Sequence, residues 1–471
     1  MKSSCRFLSL VVLIVGSHVS AATADDYRDS IQAFLHANFD HTDAGMVVGI
    51  VDEHGSRVYS AGKLDNGTDR AVDGDTVFEI GSVTKTFTAL LLLDMAQRGE
   101  VKLDDPVAKY LPEAVKVPAH GGKEITLFNL AAQDSGLPFD PDNYAGADWG
   151  ERFSSYTVPK MYEFLASYQL GQDPGEKYQY SNIGMGLLGH VMARRAEKDF
   201  GSLVLERICK PLRMESTGIT LTPEMKARLA MGHDEAGKPE DHYEMPAIAA
   251  AGAMRSTAND LLRFAAAQVG LISSPLSRLM EQSHAILHDH AKVRDQFEGR
   301  TALPWFDEGV WNPPGSDLLG HAGGRCGSNS FVGFDLKQRV GVVVLTNQSR
   351  IHSSMLGWRI LQRAHLDGLN AVRMVPVRDV VGIGAVLDLD EKSKELRITG
   401  AIADSPADKA GLSGGIVVHA IDGISTTGKN LADCLNLFHG AEGTTIRLEI
   451  LDREGKAKTV ELTRQKYRID S

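Results

Sequence analysis

Cysteine is scarce in this chain of 471 residues, and the four present do not make a framework. Cys5 lies in the first few residues. Cys209, Cys326 and Cys434 cannot all pair, and Cys434 falls in what reads as a different domain from the other two. A disulfide-stapled scaffold is excluded, so apolar cores must hold the fold. Basic clusters are missing as well. The formal net charge is −11, which argues against nucleic acid and against an anionic membrane surface as partners. After the first 24 residues no apolar run is long enough to span a bilayer, and there is no internal repeat or low-complexity tract. His284, His288 and His290 crowd one stretch, with His284 and His288 at the i, i+4 spacing of helical metal ligands. No H-E-x-x-H pattern accompanies them, so they read as a solvated polar helix. No metal and no cofactor is expected.

The start of the chain is informative. Met1 to Ala24 has basic residues (Lys2, Arg6), an apolar core from Phe7 to Val15 and a small-residue site at Ala22-Thr-Ala24. This is the pattern of a secretory signal peptide. Cys5 precedes the apolar core and is no lipid-attachment site. Loss of Lys2 and Arg6 on cleavage would take the charge to −13. The expected product is periplasmic or secreted, with no membrane insertion. Three segments are expected: a signal peptide at 1–24, a large domain at 25–371, and a linker with a small domain at 372–471. The joint, Val372 to Arg378, has no flexible Gly/Ser run, so the small domain is expected to pack on its neighbour.

Ser82-Val-Thr-Lys85 opens a stretch to Arg98 that reads as a buried helix stopping at Gly99. Residues three apart share a helix face, so Ser82 and Lys85 lie side by side. A serine hydroxyl needs a base to become a nucleophile, and a desolvated lysine loses its proton readily enough to be one. Orphan N–H groups at the helix start favour the alkoxide. Alone the tetrapeptide is weak: roughly one or two arise by chance in a chain this long.

Two later segments change the odds. Tyr178-Gln-Tyr180-Ser-Asn182 follows an Asp173-Pro-Gly175 turn and precedes a buried helix from Ile183 to Ala196. A phenol there can move protons, and a carboxamide can hold a substrate amide or Lys85. Gly320-His-Ala-Gly323-Gly324-Arg325 precedes two apolar runs, Ser330 to Leu336 and Val340 to Leu345, which read as a hairpin over Lys337-Gln338-Arg339. Small residues at Ala322 to Gly324 would let a substrate lie along the strand edge. The Gly324 and Ser82 N–H groups would form an oxyanion hole.

The ordered set Ser-x-x-Lys, Tyr-x-Asn and His-x-Gly resembles that of the class C β-lactamase and penicillin-binding-protein-like serine hydrolases. Phe78-Glu-Ile-Gly-Ser82, Leu130 to Pro138 and Ala251 to Leu261 are similar to further stretches of that family, and in the last of these Thr257 and Asp260 would make a capping box. The resemblance covers roughly residues 28 to 366. It implies an α+β, β-lactamase/transpeptidase-like fold: an antiparallel sheet joining N- and C-terminal strands, flanked by the first and last helices (Tyr27 to Phe39, Ser353 to Leu366), beside a helical region. The early hairpin would be Met46 to Asp52 and Arg57 to Ala61, over Glu53 to Ser56. The resemblance implies that Ser82 is acylated, that Lys85 deprotonates it and that Tyr180 relays protons. Asn182, His321, Gly323, Gly324 and Arg325 would line the substrate and oxyanion site.

The departures narrow the function. β-Lactamases usually carry Lys-Thr-Gly at the third motif, whereas His321-Ala322 offers neither a permanent ammonium nor a hydroxyl. Arg325 would have to supply the charge. Asp140 stands where some relatives present a substrate-binding amide. Cys326, beside Arg325, is either a reactive or a buried structural thiol. Gly411-Leu-Ser-Gly-Gly415 fits a nucleophile elbow, but a helical turn precedes it and a strand follows, so Ser413 is a loop residue. The early His120-Gly121-Gly122 fits His-x-Gly but lies out of motif order.

The C-terminal segment Ile402 to Leu412, then Ile416 to Gly423, resembles a bacterial PDZ domain. Gly382, Ile383 and Gly384 would form the carboxylate-binding loop of its peptide groove, Asn430 to Phe438 the groove helix, and Gly414-Gly415 departs from the usual Gly-Asp. Three functions stand open: an exported serine hydrolase acting on a D-amino-acid peptide (carboxypeptidase type) or ester; a β-lactamase; and a catalytically idle protein whose PDZ-like domain binds a peptide C-terminus. The partner is a small-molecule or peptide substrate in the first two.

Overall fold

In the first unit, strand β1 (Gly45–Asp52) is buried on both faces, as its near-continuous apolar run requires of an interior strand. It pairs with β2 (Gly55–Gly62). The turn is tighter than the composition indicates: Asp52 pairs with Gly55, leaving Glu53-His54 as the loop, and Gly55 takes φ +106° to close it. The computed structural model describes residues 24–146, 149–289, 300–307, 318–362 and, in shorter stretches, 380–467. Met1 to Thr23 of the leader and the joint Val372 to Arg378 lie outside the described residues. The chain divides into two compact units between Ala371 and Val372.

Helix α1 (Ala24–Phe39) precedes β1. After β2 come β3 (Phe78–Glu79), α2 (Thr84–Gln97), α3 (Asn182–Ala196), β4 (Arg255–Ser256) and α4 (Ala258–Gln268). Then follow β5 (His288–Asp289), β6 (Arg300–Thr301), β7 (Phe306–Asp307), β8 (Leu318–Arg325), β9 (Ser328–Asp335), β10 (Val340–Thr346) and α5 (Ser353–Leu361). The main sheet is eight-stranded, in the order β2-β1-β10-β9-β8-β7-β6-β5. The early hairpin joins the late one through antiparallel pairing from Met46↔Thr346 to Val51↔Gly341. Trp358 of α5 packs on Phe331 of β9. Behind the sheet, Phe264 of α4 stacks on Phe87 of α2 at 4.4 Å. That contact seats α2, and with it the nucleophile, on the core.

Several elements differ from the sequence reading. Helix α5 ends at Leu361, capped by Gln362, and residues 363–366 lie outside the described residues. The three-histidine stretch is no helix: His284 caps a helix ending at Ser283 and His288 sits in β5. Their rings are spent on Gln268 (2.7 Å) and on Asp134 (3.2 Å), and His290 lies outside the described residues. Thr257 caps α4 by accepting from Asp260 N at 3.2 Å. The Asp260 carboxylate does not return the bond; it accepts from Ser216 N and Thr217 Oγ1. Only half of the expected capping box exists. Thr257→Ala is expected to cost about 1 kcal/mol, read as a lowered urea midpoint of this unit.

The second unit has a six-stranded sheet built on β12 (Ala385–Leu389), β13 (Leu396–Ala401), β14 (Ile416–Ile421), β16 (Thr445–Leu451) and β17 (Ala457–Thr463), with β15 (Ile424–Ser425) folded onto β14. Beside it β11 (Val380–Gly382) pairs with β18 (Gln465–Tyr467). Strand β16 alternates exposed and buried residues, so Ile446, Leu448 and Ile450 join Leu396, Ile398 and Val418 in a separate core. Of the expected carboxylate loop, Gly382 ends β11, while Ile383 and Gly384 form the loop before β12. Its Ile383 carbonyl accepts from Ala407 N at 2.8 Å. Most of the expected groove helix, and Ser413 to Gly415, lie outside the described residues.

Candidate active site

The Ser82 segment begins as a short 3-10 turn, Gly81–Val83, which runs into α2. Helix α2 is buried on every side from Thr84 to Met95, so it carries no polar stripe. Ser82 stays partly exposed, while Lys85, one turn on, is fully buried. Lys85 Nζ lies 2.9 Å from Ser82 Oγ, 2.8 Å from Asn182 Oδ1 and 2.7 Å from the Ala251 carbonyl. Burial brings its pKa down to about 7, against a weaker upward pull from Asp140. Two of the three neighbours are oxygens that only accept. A neutral amine gives its two protons to them, and its lone pair is left facing the Ser82 hydroxyl.

Asn182 is the first residue of α3 rather than part of the loop before it. Ser181 caps this helix, accepting from Gly184 N at 2.9 Å and donating to the Pro138 carbonyl at 2.7 Å. The cap ties α3 to the loop that holds Asp140, and Asn182 Nδ2 donates to Asp140 Oδ1 at 3.2 Å. Tyr180 lies with its ring 4.7 Å from Lys85 Nζ, flanked by Phe139 and Phe306. Burial raises its pKa, and a hydrogen bond with Ser82 only partly offsets that. The phenol is therefore neutral at working pH.

Strand β8 closes the other side. A side chain at Gly323 would come within 2.2 Å of the Ile80 carbonyl and 2.7 Å of Ser82 N. Only glycine allows that approach. Gly324 is exposed, and its N–H lies against Gly81. Ser330 Oγ fixes the arrangement by donating to the Ile80 carbonyl at 2.7 Å. Strand β7 meets β8 at Phe306↔Gly320, so among the described residues Ala322 to Gly324 have no strand partner on that edge.

His321 is 2 % exposed. Its Nδ1–H donates to the Ala322 carbonyl at 2.7 Å, and burial, with the nearby Lys85, pushes its pKa down to about 3. The ring is neutral, and Nε2 is a buried acceptor without a partner among the described residues.

Arg325 is not brought to the site. Its guanidinium donates to Glu79 Oε2 at 2.7 Å and to the Tyr243 carbonyl. Glu79, fully buried, also accepts from Arg255 Nε at 2.9 Å and from His242 Nδ1 at 3.0 Å. The desolvated carboxylate takes the guanidinium that a substrate carboxylate would need. Cys326 is buried and burial pushes its thiol up to about 12, which fits the structural thiol and not the reactive one. Sequence reasoning missed Glu79, which it read only as approach to the nucleophile. It also missed Phe306, whose two-residue strand carries no periodic signal.

An antiparallel sheet whose edge strand lies against a helix start bearing a Ser–Lys pair, with helices packed on it, defines the α+β, β-lactamase/transpeptidase-like class. The chain belongs to the beta-lactamase family: a family model described as Beta-lactamase matches residues 31–366. Among curated relatives, the chain is 32% identical over 220 residues to an Escherichia coli (strain K12) protein named D-alanyl-D-alanine-carboxypeptidase/endopeptidase AmpH; the match covers 47% of this chain and 56% of that one. The D-alanine carboxypeptidase AmpC structure from Burkholderia cenocepacia is similar at a TM-score of 0.58 and 27% identity, over 72% of this chain and 100% of that one. A β-lactamase/D-alanine carboxypeptidase from Yersinia pestis shares the fold at a TM-score of 0.61 and 23% identity, over 72% of this chain and 99% of that one.

Proposed function

We propose that the first unit is a serine hydrolase that works through an acyl-Ser82 intermediate on a D-amino-acid peptide or a small ester. The observation that carries this is the buried Lys85 amine, 2.9 Å from Ser82 Oγ, with its other contacts filled by obligate acceptors. Ser82 Oγ attacks the substrate carbonyl carbon, and its proton goes to Lys85 Nζ. The N–H groups of Ser82 and Gly324 receive the oxyanion. The C–N or C–O bond breaks as Tyr180 protonates the leaving atom, and Tyr180 recovers a proton from Lys85. Water then attacks the acyl carbon, gives its proton through Tyr180, and releases the acid with Ser82 restored. Asn182 and the free His321 Nε2 orient the substrate. The D-alanine named in all three of these relatives supports a D-amino-acid peptide. Loss of Arg325 to Glu79 argues against a β-lactamase, which needs a cation or hydroxyl for the drug carboxylate.

The test is intact-protein mass after exposure to a fluorophosphonate and, separately, a penicillin, on wild type and Ser82→Ala. A serine-dependent adduct supports the reading, and rapid turnover of penicillin would replace it with the β-lactamase. No adduct on folded protein would leave the idle alternative. The labelling rate is expected to rise with pH through a single limb near 7 and then level. Lys85 must be neutral to act, its pKa is about 7, and His321 adds no limb. A profile rising only toward the ordinary lysine value of 10.5 would refute the role given to Lys85.

The same reading includes export directed by Met1 to Ala24, and a PDZ-like module in 372–471 that takes a peptide C-terminus at Gly382, Ile383 and Gly384. Support for the module is its edge strand: among the described residues β12 pairs on one side only, which leaves room for an added peptide strand. Isothermal titration with peptides ending in a free or an amidated C-terminus tests it; equal binding, or none, would remove the peptide role.

A further inference from the structure

We propose that Asp140 selects substrates whose acyl part carries a protonated amino group, so that the first unit acts on amino-terminal residues or amino-substituted esters. The inference rests on the acyl-Ser82 reading and names its substrate class. Asp140 stands one side chain from the reacting centre: Lys85 holds Asn182 at 2.8 Å, and Asn182 holds Asp140 Oδ1 at 3.2 Å. Tyr144 OH donates to the same oxygen at 3.3 Å. The other oxygen, Oδ2, is buried and has no hydrogen-bond partner among the described residues. A buried acceptor without a donor is a standing cost that an incoming donor removes.

Burial raises the pKa of Asp140 above the usual carboxylate value, so a donor that brings positive charge is the one that favours its ionised form. Among the described residues no cation lies within ion-pair distance of Asp140. Arg325 is held by Glu79, Lys85 is committed to its own three contacts, and His321 is neutral. Arg152 also acts on Asp140 at longer range, but its Nε is bound to the Gly146 carbonyl at 3.2 Å. The aromatic rings of Phe139, Tyr144 and Tyr180 gather around the same loop, a setting that favours an ammonium. At about 3.3–3.6 Å per extended residue, the ammonium belongs within roughly two residues of the scissile carbonyl.

The experiment measures how D-alanine p-nitroanilide and its N-acetyl counterpart slow fluorophosphonate labelling of Ser82, in wild type, Asp140→Asn and Asp140→Glu. Wild type is expected to be protected by the free amine at a concentration on the order of 10- to 100-fold lower than by the acetylated compound. Asp140→Asn should bring the two within about threefold, and Asp140→Glu, which keeps the charge, should retain part of the preference. Equal protection, or protection by neither compound, in labelled wild type overturns the proposal without touching the hydrolase reading. Failure of wild type to label at all would sink the hydrolase reading itself. The wild-type comparison stands even if a variant does not fold.

Discussion

Ser82→Ala is expected to lower hydrolysis by at least about 10⁴-fold, and Lys85→Met by nearly as much. The two effects should not add. Ser82 is a nucleophile only when its proton has somewhere to go, and of the two side chains at its hydroxyl among the described residues, the Lys85 amine at 2.9 Å and the Tyr180 phenol, the amine is the one that can be a base at working pH. Removing either member removes the same step, so the double variant should resemble the single ones. Steady-state kcat/KM for a small ester, measured on the four proteins, checks this. If Lys85→Met lost less than about tenfold, the general-base role would fail and Tyr180 would have to be the base. That outcome would conflict with its raised pKa, which keeps the phenol protonated. Lys85→Arg should not rescue, because a guanidinium stays charged and has no lone pair to offer.

The central pair was legible because a helix has a fixed period: three residues place Lys85 beside Ser82 whatever surrounds them. The hairpins were legible because apolar runs of strand length flank obvious turns. What could not be read is what depends on partners far along the chain. The strand position of Arg325 says which face it occupies, but not that Glu79, 246 residues earlier, waits there fully buried. The histidine triplet had helical spacing, yet His288 went to the short strand β5, since two-residue strands are set by sheet pairing and leave no period in sequence. Thr257 announced a cap, but the acid expected to reciprocate was claimed by Ser216 and Thr217. Gly323 was read as making room for substrate; its closer constraint is the Ile80 carbonyl and the Ser82 amide pressed against it.

Glu79 carries the largest expected stability effect. It pairs with Arg255 across β3 and β4, receives the end of β8 through Arg325, and stands three residues before the nucleophile. Its carboxylate is the counter-charge for two guanidinium groups that are themselves almost fully buried. Glu79→Ala would leave buried Arg325 without its carboxylate and Arg255 with only the exposed Glu244, at 3.2 Å, and breaking a buried pair in this way costs about 3–5 kcal/mol. Burial alone would raise its pKa, but the His242 hydrogen bond and the Arg325 and Arg255 charges outweigh that and hold it below 4.5. The sign follows: the unfolded carboxyl binds its proton first, so the stabilisation is complete above about 4.5 and is lost as pH falls through the lower folded value. Urea unfolding of the full chain at pH 7 and at pH 4 measures both effects. Wild type should lose stability between the two, whereas Glu79→Ala should start several kcal/mol lower and lack this group's share of the acid loss. Glu79→Gln should fall between them, since an amide oxygen still accepts from Arg255 or Arg325 but brings no charge. A Glu79→Ala protein as stable as wild type at pH 7 would mean that the two arginines find other partners. Arg325 would then be free to turn toward the substrate, and the case against carboxylate binding would have to be reopened.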